Sequence, residues 1–207
     1  MNNRKNSVFD GLLSDNTVLS SLMVISPVII CGESLKNAIA IIYAFSVITF
    51  FAVMISSFVP RRLPYAAKII IYALIASLVC IPVRLAAERF YPDSISRIGI
   101  YYPLLAVNSL IVVQTEAKFF RMKRLRMTAS LFFYILGFDA VILVTAFIRE
   151  LLAYGTINSR IVDMPLIISG LSESFGGFIF LGIACGIYRK LRSVRNNSKE
   201  DGNVPDK

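Results

Sequence analysis

The stretch "IGIYYPLLAVNSLIVVQTEAKFF", Ile98–Phe120, is apolar enough to cross a membrane, yet it makes a poor continuous helix. Pro103 lies inside it, and Asn108 and Ser109 lie near its middle. Proline removes a backbone donor, and asparagine and serine side chains compete for backbone hydrogen bonds. Because backbone groups in lipid need internal partners, this stretch predicts a helix that breaks where protein or a polar cavity surrounds it.

The composition indicates a membrane protein. Of the 207 residues, 56% are hydrophobic and 17% are charged, and the mean hydropathy is +0.68. Soluble domains are about 45–50% apolar and about 25% charged. The chain has no histidine, which removes the commonest general base. It also carries no P-loop, nucleophile elbow, zinc signature or dinucleotide fingerprint, so we exclude a classical soluble enzyme.

Six apolar segments follow one another along the chain. A membrane span needs about 20 apolar residues, and the runs are too long and continuous for the strands of a membrane barrel, which have about 10 residues and alternate. We therefore predict an all-α membrane protein with six transmembrane helices at residues 17–32, 37–59, 66–87, 98–115, 129–152 and 165–187. A polar segment, 1–16, precedes them, and a basic tail that we expect to be disordered, 189–207, follows.

The six helices divide into two groups of three, 17–87 and 98–188. Because three is odd, the second group is inverted relative to the first. The opening helix of each group is interrupted, by Pro27 and by Pro103 with Asn108. Interrupted segments at matching positions of two halves are typical of inverted repeats whose broken helices meet at the bilayer midplane. An ordinary proline kink relieved by neighbouring helices is the alternative.

Basic residues predict the orientation. With a cytoplasmic N-terminus, sixteen of the 22 Lys and Arg residues fall on the cytoplasmic side, around residues 4–5, 61–68, 118–126 and 189–207. The other side receives Lys36, Arg84, Arg89, Arg97, Arg149 and Arg160. The positive-inside rule therefore places both termini in the cytoplasm of a bacterial or archaeal cell membrane. The net charge of +9 follows from this bias and from contact with anionic lipid, and we expect no nucleic-acid partner.

Asp139 is the candidate functional acid, because an ionisable residue inside a span is costly and by default indicates a site. A protonated carboxyl bonded to a neighbouring hydroxyl, or a polar contact between subunits, is the plainer interpretation. Arg149 and Glu150 end the same segment, and we expect them to snorkel to the interface. Gly176 and Gly177 predict a close approach of helices.

The three cysteines, Cys31, Cys80 and Cys185, lie in or beside apolar segments and none has a C-x-x-C spacing. We expect them to be buried small hydrophobic residues.

Five stretches resemble one family in unbroken order. "GIYYPLLAVNSLIVVQTEA" (99–117) resembles "GIFIPLIVTNCIVVGRAEA" of the Rnf/Nqr integral membrane subunits, which include the E subunit of the Rnf electron-transport complex and the D subunit of the sodium-translocating NADH:quinone oxidoreductase. "FIRELLAYGTI" (147–157) is similar to the family's "xxREILGxGTL". The other three are "GLLSDNTVLSSLMVISPVIICGESLKNAIAI" (11–41), "IYALIASLV" (71–79) and "GGFIFLGIACGIYRK" (176–190).

The resemblance implies a subunit that pairs with a homologous subunit of inverted topology, of the Rnf A or Nqr E type. It also implies other membrane subunits that carry flavin or quinone. In the family, cysteines in "GLCP" and "TNC" from the half-helices bind a [2Fe–2S] cluster. In this chain those positions read "VISP" and "VNS", so Ser26 and Ser109 replace the two cysteines. Because such clusters require thiolates, we expect this chain to bind no cluster of the family type.

We therefore predict a subunit of an Rnf/Nqr-like electron-transfer and ion-translocating complex that lacks its own cluster and has no catalytic set of its own. An inverted-repeat ion or small-solute transporter that uses Asp139 is one alternative. A purely structural membrane scaffold is the other.

Overall fold

Four long apolar helices form the body of the molecule. The structure is a computed structural model, which describes residues 25–60, 62–108, 111, 115, 123–158, 160–162 and 167–201. The helices are α1 (Ile25–Cys31), α2 (Leu35–Ser56), α3 (Tyr65–Phe90), α4 (Pro92–Ile98), α5 (Tyr101–Leu104), α6 (Arg124–Tyr154) and α7 (Ser174–Asp201). Of these, α2, α3, α6 and residues 174–194 of α7 are long and apolar enough to cross a membrane.

Helix α2 is the centre of the fold. It packs between α3 and α6, and its buried face repeats at helical spacing, with Ala38, Ile41, Phe45, Ile48 and Ala52 all fully buried. The Phe45 ring stacks on that of Phe138 of α6 with their centroids 3.8 Å apart. Alanine on the remaining turns lets the helix backbones approach closely, which is how helices associate when lipid supplies no hydrophobic driving force.

Helices α3 and α7 carry most of their apolar side chains on the outside. Examples are Leu78 and Leu85 of α3 and Phe178 and Ile183 of α7, each about 60% exposed or more. Pro82 lies inside α3 and does not end that helix. Such faces suit contact with lipid tails or with another membrane subunit.

Among the described residues, the first and fourth apolar segments each contain a short helix. The structure describes the first as α1, seven residues long, and the fourth as α5 followed by a 3₁₀ turn at Leu105–Val107 that ends at Asn108. Six spans and the inverted repeat therefore stay predictions, since the described residues form a mostly helical structure with four helices long and apolar enough to cross a membrane.

The link between α6 and α7 was not foreseen in the sequence. Gly155, with φ 62°, ends α6 in the left-handed conformation that glycine adopts without strain. A hairpin of two-residue strands, β1 (Thr156–Ile157) and β2 (Arg160–Ile161), pairs antiparallel. A 3₁₀ turn at Ser169–Leu171 then leads into α7.

Helix α7 begins and ends later than the sixth predicted span. It starts at Ser174 rather than at residue 165 and continues to Asp201. The structure therefore describes helix for 189–201, the part of the chain that we expected to be a disordered basic tail.

Candidate functional site

The half-helix α1 ends in a tight turn against α2. The Gly32 amide donates to the Val28 carbonyl at 3.0 Å, and a Cβ at Gly32 would lie 2.2 Å from that same oxygen. Only glycine therefore fits there without moving the backbone. Ser34 then precedes α2 in an extended conformation. The turn leaves the Ile29 carbonyl, in the last turn of α1, without a partner inside its own helix.

The guanidinium of Arg149 satisfies that carbonyl. Arg149 lies near the end of α6 and is 1% exposed. Its Nη1 donates to the Ile29 carbonyl, and its Nε donates to the Leu171 carbonyl at 3.0 Å. Its Nη2 reaches the carbonyls of Ser172 at 3.4 Å and Glu173 at 3.3 Å. One planar fork therefore binds the end of α1 and the turn that leads into α7.

Glu150 binds the neighbouring helix start. It is 2% exposed, and its Oε2 accepts from the Leu35 amide, the first residue of α2, at 2.7 Å. Its Oε1 accepts from the Thr156 hydroxyl at 3.3 Å. A carboxylate at a helix N-terminus and a cation at a helix C-terminus both interact favourably with the helix dipole. We call Arg149 and Glu150 the RE clamp.

The RE clamp corrects one expectation. We expected Arg149 and Glu150 to snorkel to the interface, but both are buried and bonded to backbone groups of other elements. Hydropathy alone suggested that these two charged residues would be exposed. They are buried because the end of α6 packs against the α1–α2 turn rather than facing solvent.

The glycine pair of α7 makes room for the clamp, which confirms the predicted close approach. A Cβ at Gly177 would lie 2.9 Å from Cζ of Arg149, and a Cβ at Gly176 would lie 2.1 Å from the Gly170 carbonyl oxygen. By contrast, a Cβ at Gly182 would meet no atom within 4 Å.

Asn108 ends the 3₁₀ turn inside the interrupted fourth segment. Its Nδ2 donates to the Leu105 carbonyl at 2.6 Å, and its Oδ1 accepts from the Ile111 amide at 3.0 Å. The side chain is 7% exposed. It therefore supplies the hydrogen bonds that a continuing helix would have made.

Asp139 and Ser46 form a second polar contact, between the middle of α6 and the middle of α2. The Ser46 hydroxyl on α2 donates to Oδ2 of Asp139 on α6 at 2.9 Å. The other carboxyl oxygen, Oδ1, is buried and has no hydrogen-bond partner among the described residues.

The site residues predicted from the sequence lie on several different elements. Ser26 and Pro27 lie within α1, Pro103 lies within α5, and Asn108 ends the 3₁₀ turn. Ser109 lies outside the described residues. The sequence did not single out Ser46, although a hydroxyl at the middle of an otherwise apolar span was a signal for it.

The donor groups do not fit an iron–sulfur cluster of thiolate type. Serine hydroxyls are present at Ser26 and Ser109, whereas such a cluster needs thiolates. The three cysteines lie on α1, α3 and α7 and are free and buried, as predicted.

Comparison with known proteins gives the family. The sequence profile described as "Rnf-Nqr subunit, membrane protein" matches residues 5–185. The chain belongs to this family. The Rnf-Nqr match covers α2, α3 and α6 in full, α7 up to residue 185, both interrupted segments and the RE clamp. Membership in the family and the multi-pass membrane architecture therefore rest on most of the chain.

Named relatives agree with the Rnf-Nqr assignment. The D subunit of the Na(+)-translocating NADH-quinone reductase of Haemophilus ducreyi is 25% identical over 185 residues, which cover 86% of each chain. The equivalent D subunit from Pseudoalteromonas translucida is 25% identical over 79% of this chain and 77% of its own. The E subunit of the ion-translocating oxidoreductase complex of Shewanella loihica is 25% identical over 76% of this chain and 68% of its own.

Proposed function

We propose that this Rnf-Nqr subunit works in an electron-transfer and ion-translocating membrane complex without binding an iron–sulfur cluster of its own. The observation that carries the proposal is that residues 26 and 109 are serine, at the two positions where the resemblance to the family motifs "GLCP" and "TNC" implies cluster-binding cysteines. A hydroxyl is a hard ligand with a pKa far above that of a thiol, so two serines do not replace two thiolates.

The RE clamp is consistent with the proposal, because it holds α1 through protein contacts that do not involve a metal. The end of α1 is bonded to Arg149, and the start of α2 is bonded to Glu150. A half-helix held by protein contacts remains a docking element for another subunit after the cluster ligands are lost.

Cys31 is not in a position to replace the cluster-binding cysteine that the resemblance implies at position 26. It is five residues beyond Ser26 on α1, which turns its side chain about 140° around the helix. It is also 1% exposed and belongs to the apolar core between helices.

The proposed partners are a homologous subunit of inverted topology and membrane subunits that carry flavin or quinone. The relatives are named as subunits of a Na(+)-translocating NADH-quinone reductase and of an ion-translocating oxidoreductase complex, and the kinds of partner are those that the family resemblance implies. Electrons would then pass through the partners' own centres, and this chain would hold those partners and complete the membrane domain.

Purification from native membranes tests the proposal. We expect an affinity-tagged chain to carry a second Rnf-Nqr-type subunit and a flavin-containing subunit, identified by mass spectrometry after crosslinking and size exclusion. Deletion of the chain should lower the quinone-linked electron transfer of the membranes. Recovery of the chain as a homo-oligomer, with unchanged electron transfer after deletion, would instead favour the transporter alternative.

A further inference from the structure

The contact between Asp139 and Ser46 lies at the middle of the membrane domain. Asp139 is the sixteenth of the 31 residues of α6, and Ser46 is the twelfth of the 22 residues of α2. At 1.5 Å per residue, Asp139 is about 22 Å from either end of its helix. This places the carboxyl near the bilayer midplane, where an ionised side chain is most costly.

The carboxyl is isolated from other charges along the helices around it. Between Met127 and Ile148 of α6, every residue other than Asp139 is uncharged, as is all of α2 after Lys36. Residues 174–188 of α7 and 69–83 of α3 are uncharged as well. The titratable side chains in these stretches, other than Asp139, are the tyrosines Tyr43, Tyr72, Tyr134 and Tyr188 and the cysteines Cys80 and Cys185.

An isolated carboxyl group at this depth has its lowest free energy in the protonated, uncharged form. Its Oδ2 has the Ser46 hydroxyl at 2.9 Å, while its buried Oδ1 has no hydrogen-bond partner in the described ranges. One hydroxyl and one carboxyl are too few oxygens to replace the hydration shell of a metal cation, whereas they suffice for a proton. The free Oδ1 is the atom that would carry it.

Hydroxyl groups on α2 extend the polar path from Asp139. Ser46, Thr49 and Ser56 lie within about 80° of one another around the helix, at 100° per residue. Thr49 and Ser56 are fully buried, and the oxygens of both hydroxyls lack a hydrogen-bond partner in the part of the chain that the structure describes. Buried polar groups that lack a protein partner commonly bind internal water, and water bound to these hydroxyls would give a proton a route along α2.

We infer that Asp139, with Ser46, is an exchangeable proton-binding site at the centre of the membrane domain, reached along the hydroxyl face of α2. The inference rests on the proposed function, because the bound proton would take part in the ion translocation proposed there. In the proposed reaction the Asp139 carboxylate binds one proton and becomes a neutral carboxyl group. No other group in the chain changes.

A hydrophobic carbodiimide tests the site, because it reacts with protonated carboxyl groups in a lipid phase. Membranes that contain the full chain are treated with dicyclohexylcarbodiimide between about pH 5 and 9, and the adduct at Asp139 is measured by mass spectrometry. We expect strong labelling at low pH that falls as pH rises and does not respond to Na⁺.

Two serine variants make the test specific. In Ser46→Ala the hydroxyl that favours the carboxylate is gone, so labelling should persist to a higher pH than in the parent chain. The control is Ser77→Ala, since that hydroxyl bonds the Ala73 carbonyl of its own helix α3 at 2.8 Å. Its labelling profile should match that of the parent chain.

Three results would overturn the inference: no adduct at any pH, an adduct whose amount is independent of pH, or protection by Na⁺ at constant pH. Labelling is read from the chain itself, whether or not partner subunits copurify. Failure of this site is therefore distinguishable from failure of the proposed function.

Discussion

At the scale of single residues, the buried Arg149 is the most consequential side chain that the structure describes. It donates hydrogen bonds to carbonyls of two separate elements, α1 and the turn before α7. A buried carbonyl that loses its donor costs about 1–3 kcal/mol. Removal of this one fork therefore leaves several such groups unpaired at once.

Arg149→Lys tests the fork. An ammonium group keeps the charge but cannot span the Ile29 and Leu171 carbonyls in one plane, so we expect a loss of about 2–4 kcal/mol, within the range for broken buried polar networks. The measurement is thermal unfolding of the detergent-purified protein by intrinsic tyrosine fluorescence.

The matched control is Arg84→Lys. Arg84 pairs with Glu88 at 2.8 Å on the exposed face of α3, and such i,i+4 pairs contribute about 0.3–0.5 kcal/mol. Equal unfolding temperatures for the two variants would contradict the role given to Arg149.

Gly177→Ala tests the space around the same guanidinium. The added methyl group would lie 2.9 Å from Cζ of Arg149, and overpacking of this kind costs about 1–3 kcal/mol. Gly182→Ala adds the same atom where nothing lies within 4 Å. We expect only the first variant to lower the unfolding temperature, and equal losses would argue against the packing described.

At the scale of elements, side chains bind the ends of the short helices that the structure describes in the two interrupted segments. The RE clamp holds the end of α1 and the start of α2, and Asn108 closes the fourth segment. Helices of four and seven residues are too short to be stable alone. Their position therefore depends on α2 and α6.

Asn108→Leu tests the closure of the fourth segment. The variant keeps the side-chain size but loses the bonds to the Leu105 carbonyl and the Ile111 amide, at about 1 kcal/mol each or more. We expect faster proteolysis in this segment, with digestion of the α2–α3 region unchanged. Uniform digestion of both regions would show global destabilisation instead.

At the scale of the whole molecule, periodicity and hydropathy predicted the four long helices to within a few residues at most ends. They placed α2 at 37–59 and α6 at 129–152, against the observed Leu35–Ser56 and Arg124–Tyr154. Hydropathy could not predict the burial of Arg149 and Glu150, because that depends on which turns lie over the end of α6. The contact of Ser46 with Asp139 likewise needed the register between α2 and α6.

The orientation of the whole chain is a prediction from its basic residues. Sixteen of 22 Lys and Arg residues fall on one side, so the positive-inside rule places the C-terminus in the cytoplasm. An alkaline phosphatase fused after residue 207 should be inactive, and a fluorescent protein fused there should be bright. The opposite pair of results would reverse the topology.

The central claim, that this subunit binds no iron–sulfur cluster, is tested most directly by metal analysis of the purified complex. Iron and acid-labile sulfide are measured per chain in the parent protein and in Ser26→Ala and Cys31→Ala variants, each compared at equal yields of folded complex. The account predicts identical iron and sulfide content in all three. A loss of two irons and two sulfides in either variant would contradict it.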